Sequence, residues 1–141
     1  MKTANLDELL DDFEFLADWE DRYRYIIELG DELEAMPEEL KTEQTRVQGC
    51  VSNVWLVPQI GSGDPPTLHF MADSDSQIVR GLVAILVMLC SDRTAEEIRL
   101  LDLEGTFDRL DLRKHLSRSR SNGFYSMIKR IKRLAEEPAG V

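Results

Sequence analysis

The 141-residue chain contains two cysteines, and their sequence surroundings differ. Cys50 follows Gly49 where a polar stretch becomes apolar, so we expect it in a loop that a second protein can reach. As a thiolate, such a cysteine is a nucleophile that can take part in thiol exchange. A small buried hydrophobic residue is the alternative interpretation of Cys50. Cys90 ends an apolar segment after Met88 and Leu89, and we expect it to be buried and inert.

Two further positions carry charges of possible chemical use. Arg120 lies in a Ser-Arg-Ser stretch before the last predicted helix, where it could stabilise a nearby thiolate or persulfide anion. In the alternative interpretation, Ser119 or Ser121 caps that helix and the arginine is merely solvated. Asp73 and Asp75 lie two positions apart, and helix capping is favoured over acid–base chemistry for this cluster.

Other kinds of site are not indicated. His69 and His115 are far apart in sequence and stand near no other typical metal ligands, so we predict no metal site. The chain has no CxxC pair, Gly-rich phosphate loop, nucleophile elbow or HExxH motif. Two cysteines are also too few for a disulfide framework.

The net charge of −10 argues against nucleic-acid binding. Residues 1–45 contain 15 acidic and 4 basic side chains, whereas residues 113–133 contain 8 basic and no acidic ones. This asymmetry indicates either two solvated helix faces or a bipolar surface that orients a partner protein. No secretory-type segment opens the chain, and the longest apolar run, 81–90, is too short for a bilayer. We therefore expect a cytoplasmic protein with reduced thiols.

Helical periodicity and capping residues predict a mainly helical chain. Asn5 is the expected N-cap of the first helix, and Asp73 or Ser74 that of a buried central helix. Thr94 and Glu97 form a capping box. The predicted helical segments are approximately 6–16, 19–36, 75–90, 94–101, 107–116 and 121–136.

Two segments have the composition of strands. Residues 51–60 are rich in β-branched and aromatic side chains, and a Gly- and Pro-rich turn separates them from a partner strand at 67–72. Val47, ahead of Cys50, is expected to extend a third strand. The order of elements predicts one α+β domain over residues 1–141, with helices packed on one face of a small antiparallel sheet.

Four stretches, in this order and spacing, resemble the SufE/CsdE family, the sulfur-acceptor partners of cysteine desulfurases in iron–sulfur cluster assembly. The stretches are Trp-Glu-Asp-Arg-Tyr-Arg-Tyr-Ile-Ile-Glu-Leu-Gly at 19–30, Val-Gln-Gly-Cys-Val-Ser-Asn-Val-Trp at 47–55, Asp-Ser-Asp-Ser-Gln-Ile-Val-Arg-Gly-Leu at 73–82 and His-Leu-Ser-Arg-Ser-Arg-Ser-Asn-Gly at 115–123. The Gly-Cys-x-Ser-x-Val-Trp and Ser-Arg-Ser-x-Gly patterns are specific in combination.

The resemblance implies a fold similar to that of IscU-type scaffold proteins. It implies that Cys50 accepts persulfide sulfur from a pyridoxal-phosphate-dependent cysteine desulfurase, stimulates its turnover and passes the sulfur to an iron–sulfur scaffold complex. Asp75 and Arg120 match family positions for partner binding or persulfide stabilisation. The chain would then be a transfer partner without a cofactor of its own, rather than a stand-alone enzyme. Weak homodimer formation is left open.

Two rival functions are also considered. An iron–sulfur scaffold that holds the cluster itself usually needs several thiolate ligands, and this chain has only two cysteines. An adaptor that stimulates a desulfurase by binding alone would not need the thiol, so Cys50→Ser separates it from sulfur transfer.

Overall fold

The computed structural model describes residues 6–136, which form helices around a three-stranded sheet. The α+β class expected from the sequence is confirmed, whereas the likeness to IscU-type scaffolds stays a prediction. The elements in chain order are α1 (Leu6–Phe15), α2 (Trp19–Asp31), a short 3-10 helix (Glu38–Leu40), β1 (Val54–Ile60), β2 (Thr67–Ser74), α3 (Gln77–Cys90), β3 (Arg93–Thr94), α4 (Ala95–Leu100), α5 (Leu103–Arg109) and α6 (Arg118–Glu136).

The sheet is antiparallel in the order β1–β2–β3. The predicted hairpin of β1 and β2 is confirmed, and its register places Val54 opposite Ser74. The third strand is β3, a two-residue strand beside β2, and it does not include Val47 as expected. The segment before Cys50 joins β1 through an isolated bridge between Arg46 and Trp55, which backbone hydrogen bonds from Leu56 to Thr45 and from Val47 to Val54 flank. The pairing with β1 stops at Val47, because the chain turns at Gln48 and Gly49, so no full strand forms there.

Helix α3 is the buried centre of the fold. Side chains on nearly all its sides are inaccessible to solvent, as its continuous apolar sequence predicts. Its N-cap is Ser76, whose hydroxyl accepts from the amide of Val79 at 3.5 Å. The predicted caps Asp73 and Ser74 are wrong because both residues are still paired in β2 with β1.

Helices α2 and α3 approach closely at two glycines. A β-carbon on Gly30 would lie 2.7 Å from the backbone nitrogen of Gly81. A β-carbon on Gly81 would overlap the carbonyl oxygen of Ile26. The two backbones therefore pack in direct contact at this crossing, which no larger residue permits.

The remaining helix boundaries differ in part from the predictions. Helix α2 ends at Asp31, five residues earlier than expected, and the predicted helix over 107–116 is wrong. In its place α5 begins after Asp102, whose carboxylate accepts from the amide of Gly105. The helix ends before Asp111, which has a left-handed φ of 59°. Helix α6 begins three residues early, and the hydroxyl of Ser117 accepts from the Arg120 amide at 3.2 Å.

Two further expectations concern the ends of elements. The capping box of Thr94 and Glu97 is confirmed, with both hydrogen bonds present. Asn5, the expected first cap, lies outside the described residues. None of the helices between residues 6 and 136 is long and apolar enough to cross a membrane.

The contact between α2 and α3 leads to a stability prediction. We expect Gly81→Ala to lower the free energy of unfolding by about 3 kcal/mol, because the added methyl group overlaps the backbone of Ile26 and the helices must separate. Urea denaturation monitored by circular dichroism measures this change.

The matched control is Gly123→Ala in α6. A β-carbon there would lie 3.4 Å from the Sγ of Cys50, an ordinary van der Waals contact. Its expected effect lies between no change and a gain of about 1 kcal/mol from the helix propensity of alanine. Equal stabilities for Gly81→Ala and the wild type would contradict the proposed backbone contact.

Candidate functional site

Cys50 lies in a six-residue loop, residues 48–53, which we call the Cys50 loop. Just before it, the amide of Val47 donates to the carbonyl of Val54 at 2.8 Å and so closes the loop at its base. Cys50 itself is half-buried, whereas its neighbour Val51 is 86% exposed. The predicted loop position of Cys50 is therefore confirmed, although the thiol is turned inward.

Asp75 holds the far end of the Cys50 loop. Its carboxylate accepts from the backbone amide of Asn53 at 3.1 Å and from the side-chain amide of Asn53 at 3.0 Å. The amide of Asp75 in turn donates to the carbonyl of Asn53 at 3.2 Å. These three hydrogen bonds join the loop to the segment before α3, so Asp75 is placed to position the loop.

The thiol of Cys50 rests against the backbone of α6. Its Sγ donates to the carbonyl of Gly123 at 3.5 Å. Burial raises the pKa of the Cys50 thiol, and the positive charge of Arg46 opposes this increase only in part. In this position the sulfur is therefore kept mainly as the neutral thiol at neutral pH, which is the less nucleophilic form.

Gly49 allows the loop to reach α6. Its φ of +92° is a conformation that residues with a side chain rarely adopt. A β-carbon at this position would also overlap the hydroxyl of Ser126 on α6. The hydroxyl of Ser126 can rotate away, so the backbone conformation is what favours glycine immediately before Cys50.

A cleft of about 320 Å³ opens beside the thiol. It lies between the Cys50 loop, the start of α3 and the start of α6. Its lining residues are Cys50, Val51, Ser52, Val79, Leu82, Ser117, Ser119, Arg120, Gly123 and Met127. The cleft thus combines a thiol, apolar side chains, several hydroxyl groups and one guanidinium group.

The structure brings two of the three predicted site residues to this cleft. Cys50 and Arg120 line it, although 70 positions separate them in the sequence. Within residues 6–136, no hydrogen bond or ion pair engages the guanidinium of Arg120. Asp75 does not line the cleft and acts on the loop through Asn53.

Cys90 contrasts with Cys50. Its side chain is fully buried at the end of α3, which confirms the expected burial. Desolvation raises the pKa of this thiol to about 12. It is therefore protonated at any physiological pH and shielded from reagents.

The two histidines lie apart. His69 is 3.2 Å from a carboxylate oxygen of Glu34, whereas His115 stacks on Trp19 with 3.8 Å between ring centroids. In the part of the chain that the structure describes, no three His, Cys, Asp or Glu side chains are grouped so that they could hold a metal ion.

Sequence reasoning missed two residues of α6 that face the segment leading into the Cys50 loop. Ser126 lies against Gly49, and the Nη2 of Arg130 donates to the carbonyl of Gln44 at 2.6 Å. Their spacing from Gly123, three and seven positions along one helix, places all three on one face. That spacing is the signal that could have indicated them.

Comparisons with known proteins agree with one another. A family model described as SufE, Fe-S metabolism associated domain, matches residues 7–135. An uncharacterised SufE-like protein of Rhizobium meliloti (strain 1021) is 50% identical over 134 residues, which cover 94% of this chain and 96% of that protein. The sulfur acceptor protein CsdE of Escherichia coli (strain K12) is 38% identical over 129 residues, covering 92% and 86%.

One solved structure also matches. A hypothetical protein from Thermus thermophilus superimposes with a TM-score of 0.75 at 14% sequence identity, and the match covers 96% of both chains. At that identity the likeness concerns the fold alone.

The burial of Cys50 leads to a prediction about its reactivity. We expect the alkylation of Cys50 by iodoacetamide to be slower at neutral pH than that of a free cysteine peptide, because burial raises its pKa and so reduces the thiolate population. The rate should increase with pH and level off only above the ordinary thiol pKa of about 8.5. Peptide mapping by mass spectrometry measures each cysteine separately.

Cys90 provides the internal control, since it should remain unmodified while the protein is folded. A midpoint for Cys50 below that of the free peptide would show that cations, rather than burial, dominate its surroundings.

Proposed function

This chain belongs to the SufE family, and its role lies in the sulfur transfer of iron–sulfur metabolism; from this premise we propose that Cys50 is the residue that accepts the sulfur. The sulfur comes from a pyridoxal-phosphate-dependent cysteine desulfurase, whose turnover the protein stimulates. A downstream iron–sulfur scaffold complex receives it. The reaction takes place in the cytoplasm, where thiols stay reduced.

The proposed transfer is a thiol exchange. The Cys50 thiolate attacks the terminal sulfur of a persulfide on the desulfurase cysteine, and a new S–S bond forms at Cys50 Sγ. The S–S bond on the desulfurase breaks, and its cysteine leaves as a thiolate. The terminal sulfur keeps its oxidation level, so no external oxidant or reductant is consumed. The protein itself needs no cofactor, because the pyridoxal phosphate belongs to the desulfurase.

The observation that carries the proposal is the cleft beside the Cys50 thiol. A persulfide is one sulfur atom longer than a thiol, and the cleft offers space for that atom. Arg120 lines the same cleft, and its guanidinium has no hydrogen-bond or ion-pair partner among residues 6–136. A guanidinium group stabilises an anionic sulfur and makes the neighbouring thiol easier to deprotonate.

Access requires that the thiol leave its inward position. The hydrogen bond from Cys50 to Gly123 is long and involves a weak S–H donor, so little energy opposes its release. The loop ends are held more firmly, by Val54 at the start and Asp75 at the end. We therefore assign to Asp75 the role of positioning the loop for transfer.

The surface around the loop is suited to a transient partner. Val51 projects beside Cys50 as an exposed apolar contact, and Arg118 and Arg120 provide positive charge at the start of α6. The charged side chains of helices α1 and α2, by contrast, are mostly acidic. Such charge separation increases association rates and fixes orientation more than it increases affinity.

The two rival functions make different demands. A cluster scaffold would need several accessible thiolates, and Cys90 is buried with a pKa of about 12. An adaptor would act without the thiol at all. The position of Cys50 in a loop beside a cleft favours transfer.

Incubation with a cysteine desulfurase and cysteine should add roughly 32 Da per transferred sulfur to the protein, located on Cys50. Intact-protein mass spectrometry detects the addition, and peptide mapping locates it. Sulfur found only on Cys90 would refute the assignment.

Cys50→Ser is the control, because it preserves the size of the side chain and removes the nucleophile. The variant should accept no sulfur at position 50 and should fail to stimulate desulfurase turnover. If the variant stimulates turnover as well as the wild type does, the protein is an adaptor.

We expect Arg120→Gln to reduce the rate of sulfur acceptance about tenfold, the effect of losing one charge-assisted interaction in the cleft. The matched control is Arg118→Gln. It removes an equal charge two positions from Arg120, and Arg118 does not line the cleft. Equal rates for both variants would show that only the general charge of this surface matters. Single-turnover persulfide transfer measures the rate.

A further inference from the structure

One face of α6 follows the chain segment that leads into and forms the Cys50 loop. Gly123, Ser126 and Arg130 lie three and seven positions apart and so share a helix face, which we call the loop-facing stripe. Cys50 meets Gly123, Gly49 meets Ser126, and Gln44 meets Arg130. The segment 44–50 therefore runs antiparallel to α6 and contacts it at both ends.

The contacts at the two ends of this segment differ in strength. At the Cys50 end, a thiol donates to a carbonyl at 3.5 Å, which is a weak hydrogen bond. At the other end, the guanidinium Nη2 of Arg130 donates to the carbonyl of Gln44 at 2.6 Å, and its positive charge strengthens the bond. Arg130 is thus the firmer link between this segment and α6.

Arg130 is also partly enclosed. Its Nε atom is buried and has no hydrogen-bond partner within the described chain. A buried donor without an acceptor is unfavourable, so a residue whose only task was to carry a surface charge would be better placed in solvent. The bond to Gln44 provides a reason for the guanidinium to stay at this position.

We propose that Arg130 is a positioning residue for Cys50: it holds Gln44, in the segment that leads into the Cys50 loop, against α6, so that the thiol rests at Gly123 until a partner displaces it. The inference rests on the proposed function, in which Cys50 is the accepting thiol. The β1 side of the loop base is secured by Val47 and Val54. Arg130 supplies a connection from Gln44, three residues before Val47, to the helix against which the thiol rests.

The test compares Arg130→Met, Arg130→Lys and Lys129→Met in the full chain. Methionine keeps an apolar stem of similar length but cannot donate to Gln44. Lysine restores one charged donor. Lys129→Met removes the same charge from an exposed neighbour and controls for electrostatic effects on the thiol.

The readout is the rate of iodoacetamide labelling of each cysteine in the folded protein. We expect Arg130→Met to increase labelling of Cys50 roughly fivefold, the change in equilibrium produced by loss of one typical hydrogen bond. At pH values below the thiol pKa the factor should not depend on pH, because it reports the fraction of molecules in which the loop is open. Arg130→Lys should restore most of the protection, and Lys129→Met should match the wild type.

Cys90 distinguishes loop release from general destabilisation. Because it is buried in the centre of the fold, its labelling reports opening of the core and should stay unchanged in all variants. Equal labelling of Cys50 in Arg130→Met and the wild type would overturn the inference. A parallel increase for both cysteines would also overturn it, since the role would then be structural.

The same experiment is independent of the proposed function, because it uses no desulfurase. If Cys50 fails to accept sulfur in the wild-type protein, the proposed function fails while the labelling result stands. If Cys50 accepts sulfur and labelling is insensitive to Arg130, only the positioning role fails.

Discussion

The burial of α3 on nearly all its sides is the constraint on which the rest of the structure depends. A helix with apolar residues around its whole circumference must be covered by other elements, and α2, α6 and the sheet provide that cover. The close approach of Gly30 and Gly81 brings α2 into backbone contact with it. The start of the same helix contributes Val79 and Leu82 to the cleft beside Cys50. The site is therefore built on a helix whose side chains are buried on nearly all sides.

Reactivity and protection make opposite demands on Cys50. A nucleophilic sulfur needs to be a thiolate, whereas burial favours the neutral thiol. The structure holds the thiol inward against Gly123, where its pKa is raised and oxidants have less access. Arg120, the cation of the cleft, lines the cleft wall, whereas the resting thiol donates to the carbonyl of Gly123. In the proposed transfer, movement of the loop would carry the thiol from its buried position toward the cation of the cleft.

The Cys50 loop is held firmly at its base and weakly at its tip. Asp75 binds Asn53 at one end through three hydrogen bonds, and the Val47 amide binds the Val54 carbonyl at the other. Arg130 binds the carbonyl of Gln44 in the segment before the loop. The tip depends on one long thiol hydrogen bond and on a glycine that fits against Ser126. Small loops with fixed ends and a weakly held tip move without unfolding their surroundings. The contrast between firmly held ends and a weakly held tip explains how a half-buried thiol could still reach another protein.

The sequence by itself determined the local features of this protein, namely the periodicity of α3, the β1–β2 hairpin, the capping box at Thr94 and the motifs around Cys50, because each depends on residues that are neighbours in the chain. It failed at the third strand and at 107–116, where the left-handed Asp111 interrupts a helical pattern. Only the tertiary structure decided how the site is assembled, since the contact of Cys50 with Gly123 joins residues 73 positions apart. Such pairings follow from how α6 packs beside the loop, and packing is a property of whole faces of helices and sheets rather than of any local run of residues.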